Sequence, residues 1–164
     1  MGIVYDEVIK DLPGDALHRL FVAVGWSDGT ETPEMLAGFH RPYANSTLVV
    51  SAWDEERLAG AVRVLSDGMI RSVIYDLVVD PACQGQGIGT ELVRRCMARF
   101  PGSEWLVQTT KGMAGYYEKL GFAVKGDVFL TVPSAFFEGG PLGAQRRLAK
   151  WNHGFLHALQ EKKT

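Results

Sequence analysis

Cysteine is scarce in this chain: Cys83 and Cys96 are the only two, and neither stands at metal-ligand spacing with the four histidines. The pair reads as reduced thiols, one of them a core residue, and neither a disulfide framework nor a metal site is expected. No run of roughly eighteen apolar residues occurs, so no segment is a candidate membrane span. The start, Met1-Gly2-Ile3-Val4-Tyr5-Asp6, lacks the basic stretch and apolar run of a leader, and a cytoplasmic protein is expected. A dominant charge is also missing. The formal net charge of -2 gives no overall attraction to nucleic acid or to an acidic membrane, which leaves a small molecule as the expected partner. What is present is enough for one domain over residues 1–164: 46% of residues are hydrophobic, and no repeat, linker or low-complexity segment divides them.

Ile3 to Ile9 reads as a first strand, and Pro13-Gly14-Asp15 opens an amphipathic helix through Leu17, Leu20, Phe21 and Val24 that Gly25 ends. From Trp26 to Asn45, glycine and proline mix with Met35, Leu36, Phe39 and Tyr43, as in a loop and short helix with an aromatic lining. Three β-rich runs follow, Thr47 to Trp53, Leu58 to Leu65 and Ile70 to Val79. Asp54-Glu55-Glu56 and Asp67-Gly68 separate them, so an antiparallel meander is expected. Helical spacing resumes at Ile88, Leu92, Val93, Cys96 and Met97 and closes at Pro101-Gly102. Trp105 to Thr109 reads as a strand, Met113 to Leu120 as a helix stopped by Gly121, and Phe122 to Val124 with Phe129 to Val132 as a last strand pair. The mixed order implies an α+β fold. A C-terminal helix within about 141–162 carries Leu148, Trp151, Phe155 and Leu159 in a stripe suited to core packing, a homodimer contact or a substrate lid.

The most informative segment runs from Asp76 to Thr90, where an apolar strand passes through Gln84-Gly85-Gln86-Gly87-Ile88-Gly89 into a helix. Closely spaced glycines let backbone amides approach a phosphate without a Cβ in the way, and the helix N-terminus adds partial positive charge. Other phosphate sites share this outline. A P-loop needs Gly-Lys-Ser/Thr, which is absent, and a dinucleotide fingerprint wants a glycine where Gln84 stands, early in an alternating βαβ chain.

At these residues the chain resembles the GNAT superfamily of N-acetyltransferases, whose coenzyme signature Gln/Arg-x-x-Gly-x-Gly/Ala is matched by Gln84, Gly87 and Gly89. The lead-in Asp76-Leu77-Val78-Val79-Asp80-Pro81 is similar to the strand before that signature, and Tyr117-Glu118-Lys119-Leu120-Gly121-Phe122 matches a second family motif. The resemblance implies a mixed, mostly antiparallel sheet of about seven strands flanked by helices. It implies acetyl-coenzyme A as co-substrate, without a metal. In that reading the amides of Gly85, Gln86, Gly87, Ile88, Gly89 and Thr90 hold its pyrophosphate, and Leu77, Val78 and Val79 pair with pantetheine like an added strand. The family's Asn seven positions before the tyrosine is replaced by Thr110, whose hydroxyl can still bond the pantetheine arm, and Met113 replaces a frequent Ala.

Acyl transfer to an amine needs a neutral nucleophile, a stabilised oxyanion and a proton for the departing sulfur. An alkyl amine with a pKa of about 10 must lose a proton first. Tyr117 matches the family's general acid, although a tyrosine in a short apolar helix is also an ordinary core residue. Histone-modifying members carry a basic Glu where Val73 stands here, which leaves Asp76 as the nearest acidic candidate beside a water relay. Freed amides at Leu77 or Val78 would polarise the acyl carbonyl. Trp26, Phe39, Tyr43 and Tyr75 form either an aromatic amine pocket or part of the core. The Val24-Gly25-Trp26 segment loosely resembles small bacterial acetyltransferases, some related to arylalkylamine enzymes. The expected activity is acetylation of a small-molecule primary amine in a ternary complex. Protein lysine or N-terminal acetylation, and a non-catalytic coenzyme-binding sensor module, are the alternatives.

Overall fold

The computed structural model describes residues 2–126. The elements in chain order are β1 (Val4–Asp6), α1 (Gly14–Ala23), α2 (Pro33–Ala37), α3 (Arg41–Ala44), β2 (Leu48–Asp54), β3 (Arg57–Ser66), β4 (Arg71–Val79), α4 (Ile88–Arg99), β5 (Glu104–Val107) and α5 (Lys111–Glu118). Residues up to 109, with 119–122, form one compact unit; residues 110–118 belong to a second, together with 123–126 of the described chain.

The first unit is built on a sheet in the order β1-β2-β3-β4-β5, antiparallel from β1 to β4, with β5 parallel to β4. The expected α+β class and the meander are met. Strand alternation sends Val49, Ala61 and Val78 to one face, where Leu12 and the apolar stripe of α1 (Ala16, Leu17, Leu20) cover them together with Tyr43 and Leu58. Each such leucine stabilises the fold by about 1.5–3 kcal/mol relative to exposure. The opposite face packs against α4 through Ile88, Leu92, Val93 and Cys96, all buried. Gly60 in β3 makes the close approach possible, because a Cβ there would lie 3.1 Å from the Val78 carbonyl oxygen and 3.3 Å from Leu92 Cδ1. Both cysteines are free and buried, and burial pushes the Cys96 thiol up to about 12, an inert core group.

Several expectations are corrected. The first strand stops at Asp6 rather than Ile9, because Asp6 Oδ1 accepts hydrogen bonds from the Val8 and Ile9 amides and turns the chain. The Trp26 to Asn45 stretch holds two short helices instead of one, the first capped by Thr32, whose hydroxyl accepts from the Met35 amide. The described residues form five strands, not about seven. Phe122 to Val124 lies in no strand, and its expected partner Phe129 to Val132 falls outside the described residues. So does the C-terminal helix, with its candidate dimer stripe.

Candidate functional site

The strand β4 changes character at its middle. From Ser72 to Ile74 it is paired on both sides, with β3 and with β5. Beyond Ile74 the pairing with β5 ends, so Tyr75 to Val79 keeps β3 as its one strand neighbour among the described residues. The register explains a second break: Tyr75 faces Arg63 and Val78 faces Ala61, so Asp76 and Leu77 together oppose Val62. This is a β-bulge, and Asp76 occupies it with a positive φ of 49°. The extra residue reverses the alternation. Val78, which would otherwise share the face of Ile74, enters the core beneath α1.

Asp76 is held at two points, by a residue that also reaches Tyr75 and by one from the core. Its carboxylate accepts from Arg63 Nε, its carbonyl accepts from Tyr43 Oη at 3.0 Å, and the Arg63 guanidinium lies 4.9 Å from the centre of the adjacent Tyr75 ring. Arg63 is a site residue that the sequence reading passed over. The available signal was a single charge in the otherwise apolar run Leu58 to Leu65.

After β4, Asp80 Oδ1 accepts the Ala82 amide and opens a 3-10 turn over Pro81–Cys83, while Gln84 Nε2 donates back to the Val79 carbonyl at 3.1 Å. These bonds tie the glycine turn to the strand end. Gly85 and Gly87 both take the left-handed conformation, with φ of 78° and 81°, and open space surrounds each Cβ position. Gly87 is the N-cap of α4 and supplies no side chain to its first-turn amides. Gln84, Gly85, Gln86, Gly87 and Thr90 are exposed, Gly89 is half-buried, and Ile88 is buried, anchoring the helix start against β3. Glu91 in the first turn is paired with Arg94 and Arg95, and these partners, Arg94 first, bring its carboxyl to about 2. Among the described residues, an open strand edge therefore runs into a glycine turn and a helix N-terminus that no side chain caps. Such a series suits an extended molecule that carries phosphate at one end.

The remaining expected residues divide. Tyr43 is buried in the core at 1% exposure, and burial pushes its phenol well above the usual range. Trp26 is half exposed and Phe39 partly buried; both meet Phe21 edge to face, at 5.2 and 5.1 Å between ring centres. The segment between them is fastened to α1 by Glu31, which accepts from Ser27 Oγ and bonds His18 Nε2 at 2.9 Å. Burial acts to raise the Glu31 carboxyl, but the Ser27 and His18 bonds outweigh it and hold the group below its ordinary value. Tyr75 is exposed on β4. In the second unit, the Thr110 carbonyl accepts the Met113 amide at the start of α5, and Tyr117 is buried beside Tyr116. Burial, reinforced by Tyr116, pushes the Tyr117 phenol up to about 12, so it keeps its proton throughout the neutral range. Among the described residues, no group of three or more His, Cys, Asp or Glu side chains is placed to hold a metal ion.

Comparison with known proteins agrees with this geometry. Residues 29–132 match the model of the acetyltransferase (GNAT) domain. Serotonin N-acetyltransferase 2, chloroplastic, of Oryza sativa is 35% identical over 122 residues, which is 68% of this chain and 57% of the rice protein. A ycf52-like N-acetyltransferase of Prochlorococcus marinus is 28% identical over 116 residues, covering 66% of this chain and 62% of its own length. The chain thus spans about 57 to 62% of these relatives. A GNAT-family acetyltransferase structure from Streptococcus pneumoniae superimposes with a TM-score of 0.64 at 25% identity, over 80% of this chain and 100% of the other.

Proposed function

The chain belongs to the GNAT acetyltransferase family, and from that premise we propose that it moves an acetyl group from acetyl-coenzyme A to the primary amine of a small molecule, both bound together. The observation that carries this reading is the continuous path from the open edge of β4 through the Gly85 and Gly87 turn to the bare start of α4. Its residues fit the coenzyme: free strand edge for the amide-bearing arm, exposed amides for the pyrophosphate. Acetyl-coenzyme A, when bound, supplies the activated thioester. Gln84, Gly85, Gln86, Gly87, Ile88, Gly89 and Thr90 are assigned to the pyrophosphate, and Leu77, Val78 and Val79, with the Thr110 hydroxyl, to the pantetheine arm. A backbone amide of Leu77 or Val78 polarises the acyl carbonyl. Tyr117 acts as the general acid: its proton moves toward the sulfur as charge develops there, a transfer that runs uphill because the parent thiol, at about 8.5, is the stronger acid, and the phenolate takes a proton back from water. The amine's own proton goes to Asp76 or out through water.

For the acceptor, we infer an arylalkylamine class. Trp26, Phe39 and the side of the Tyr75 ring turned away from Arg63 are assigned to an aromatic ring of the acceptor, Tyr43 supports the strand from below, and the rice relative is named for serotonin. A cytoplasmic location and a homodimer remain part of the proposal. Among the described residues no helix is long and apolar enough to cross a membrane, and sedimentation reads the mass directly.

The deciding experiment measures free-thiol release from acetyl-coenzyme A against arylalkylamines, polyamines, lysine peptides and peptide N-termini. Release with the aromatic amines supports the reading. Release with peptides alone moves the acceptor to proteins, and tight coenzyme binding without release leaves a binding module. With the best acceptor, Tyr117→Phe should lower kcat about a hundredfold or more; an unchanged rate removes Tyr117 from the chemistry.

A further inference from the structure

Asp76 sits in a backbone region that aspartate enters more readily than most residues, yet never without cost. In a regular strand, Tyr75 and Asp76 would point to opposite faces. The left-handed turn at Asp76 instead brings its carboxylate to the same Arg63 that lies over Tyr75. The pair can therefore form only when the bulge is present. Arg63 stands directly across from Tyr75 on β3, and its side chain is 17% exposed, so the guanidinium is confined between ring and carboxylate. The third contact comes from the core. Tyr43, held among Leu17, Leu20, Val49 and Val78, aims its hydroxyl at the Asp76 carbonyl.

We propose that Arg63 and Tyr43 are positioning residues that hold Asp76 in the left-handed conformation, so that the backbone amides of Leu77 and Val78 stay in the geometry acyl transfer requires. This rests on the acyl-transfer reading above and gives Asp76 a conformational task instead of a proton-accepting one. The reasoning is geometric. The carboxylate is committed to a guanidinium, the carbonyl to a core phenol, and the parity change that sends Val78 inward makes the bulge part of the packing as well as of the site. A bulge without these clamps would relax toward a regular strand, turning Leu77 and Val78 by one residue.

Kinetics with the best acceptor, alongside thermal melts, test the proposal. Arg63→Met should lower kcat about tenfold or more, the scale of a lost charged hydrogen bond, with KM for the amine little changed. Adding Asp76→Gly to Arg63→Met should restore most of that rate, because glycine takes a positive φ unaided. If Arg63→Met does not fold, Tyr43→Phe carries the test: it keeps the ring, loses one hydroxyl, and should lower kcat about fivefold. Wild-type kcat in folded Arg63→Met or in Tyr43→Phe overturns the proposal, as does a double variant no faster than Arg63→Met alone. Should wild type release no thiol with any amine, the acyl-transfer reading fails, while amide exchange at residues 76–78 still tests the clamp. That exchange should quicken about tenfold in Arg63→Met or Tyr43→Phe, and unchanged exchange in both refutes the clamp.

Discussion

The two turns at the ends of β4 meet the same electrostatic need in opposite ways. Before the strand, Asp67 Oδ1 accepts three backbone amides, from Met69, Ile70 and Arg71, at 2.8, 2.7 and 3.1 Å, while Gly68 supplies the positive φ. After the strand, Gly85 and Gly87 supply the positive φ, but no side chain caps the amides that open α4. One turn carries its own anion; the other leaves the place to an anion from outside. The strand between them follows the same division: it is regular and doubly paired near Asp67 and, among the described residues, bulged and paired on one side only near Gly85. A turn filled by its own carboxylate is complete in itself, and the same turn left bare has amides to offer to an outside anion.

Substitutions on either side of Tyr75 should therefore separate stability from ligand binding. The largest effect belongs to the regular half: Ile74→Ala, at a side chain 3% exposed, should cost about 2–5 kcal/mol in a denaturant titration. The folded fraction should still bind coenzyme A with unchanged affinity. A fall in affinity beyond the loss of folded protein would break the division. Next comes Gly87→Val, which forces a β-branched residue into a left-handed position and sets side-chain bulk beside the bare amides. A stability cost of about 1–2 kcal/mol is expected from the backbone alone. Coenzyme affinity by calorimetry should fall further, more than tenfold, since the amides lose their approach.

How much of this was legible in the sequence depended on whether a residue type was demanded by local geometry. Gln84 to Gly89 could be read because a left-handed, unhindered turn leaves few choices besides glycine, and Tyr117 stood in a recognisable motif. The bulge could not. Val73-Ile74-Tyr75-Asp76-Leu77-Val78-Val79 looks like one unbroken strand, and nothing in the alternation marks the residue that lies outside it. The clue was relational: opposite single charges, Arg63 and Asp76, in adjacent apolar strands whose register only the fold reveals. Tyr43 likewise reads in the sequence as an aromatic face, whereas the fold buries its ring and leaves its hydroxyl to bond the Asp76 carbonyl. The early end of β1 turned on an Asp6 side chain competing for backbone amides, a contest between local bonds and strand pairing that composition alone does not decide.

The smallest expected effect sharpens the contrast through pH. The backbone amides, that of Met69 foremost, hold the Asp67 carboxyl below its ordinary value in the folded chain. A carboxyl with a depressed folded pKa contributes stability that is present above the unfolded value of about 3.9 and lost as pH falls. Asp67→Ala should therefore lower the melting temperature slightly at pH 7, and the gap from wild type should narrow in melts taken at successively lower pH, as the folded carboxyl takes up its proton. Coenzyme affinity at neutral pH should be the same in both proteins, because this anion serves only its own turn. A gap that persists in acid would mean that Asp67 acts as an uncharged turn former, and that the two ends of β4 differ in shape more than in charge.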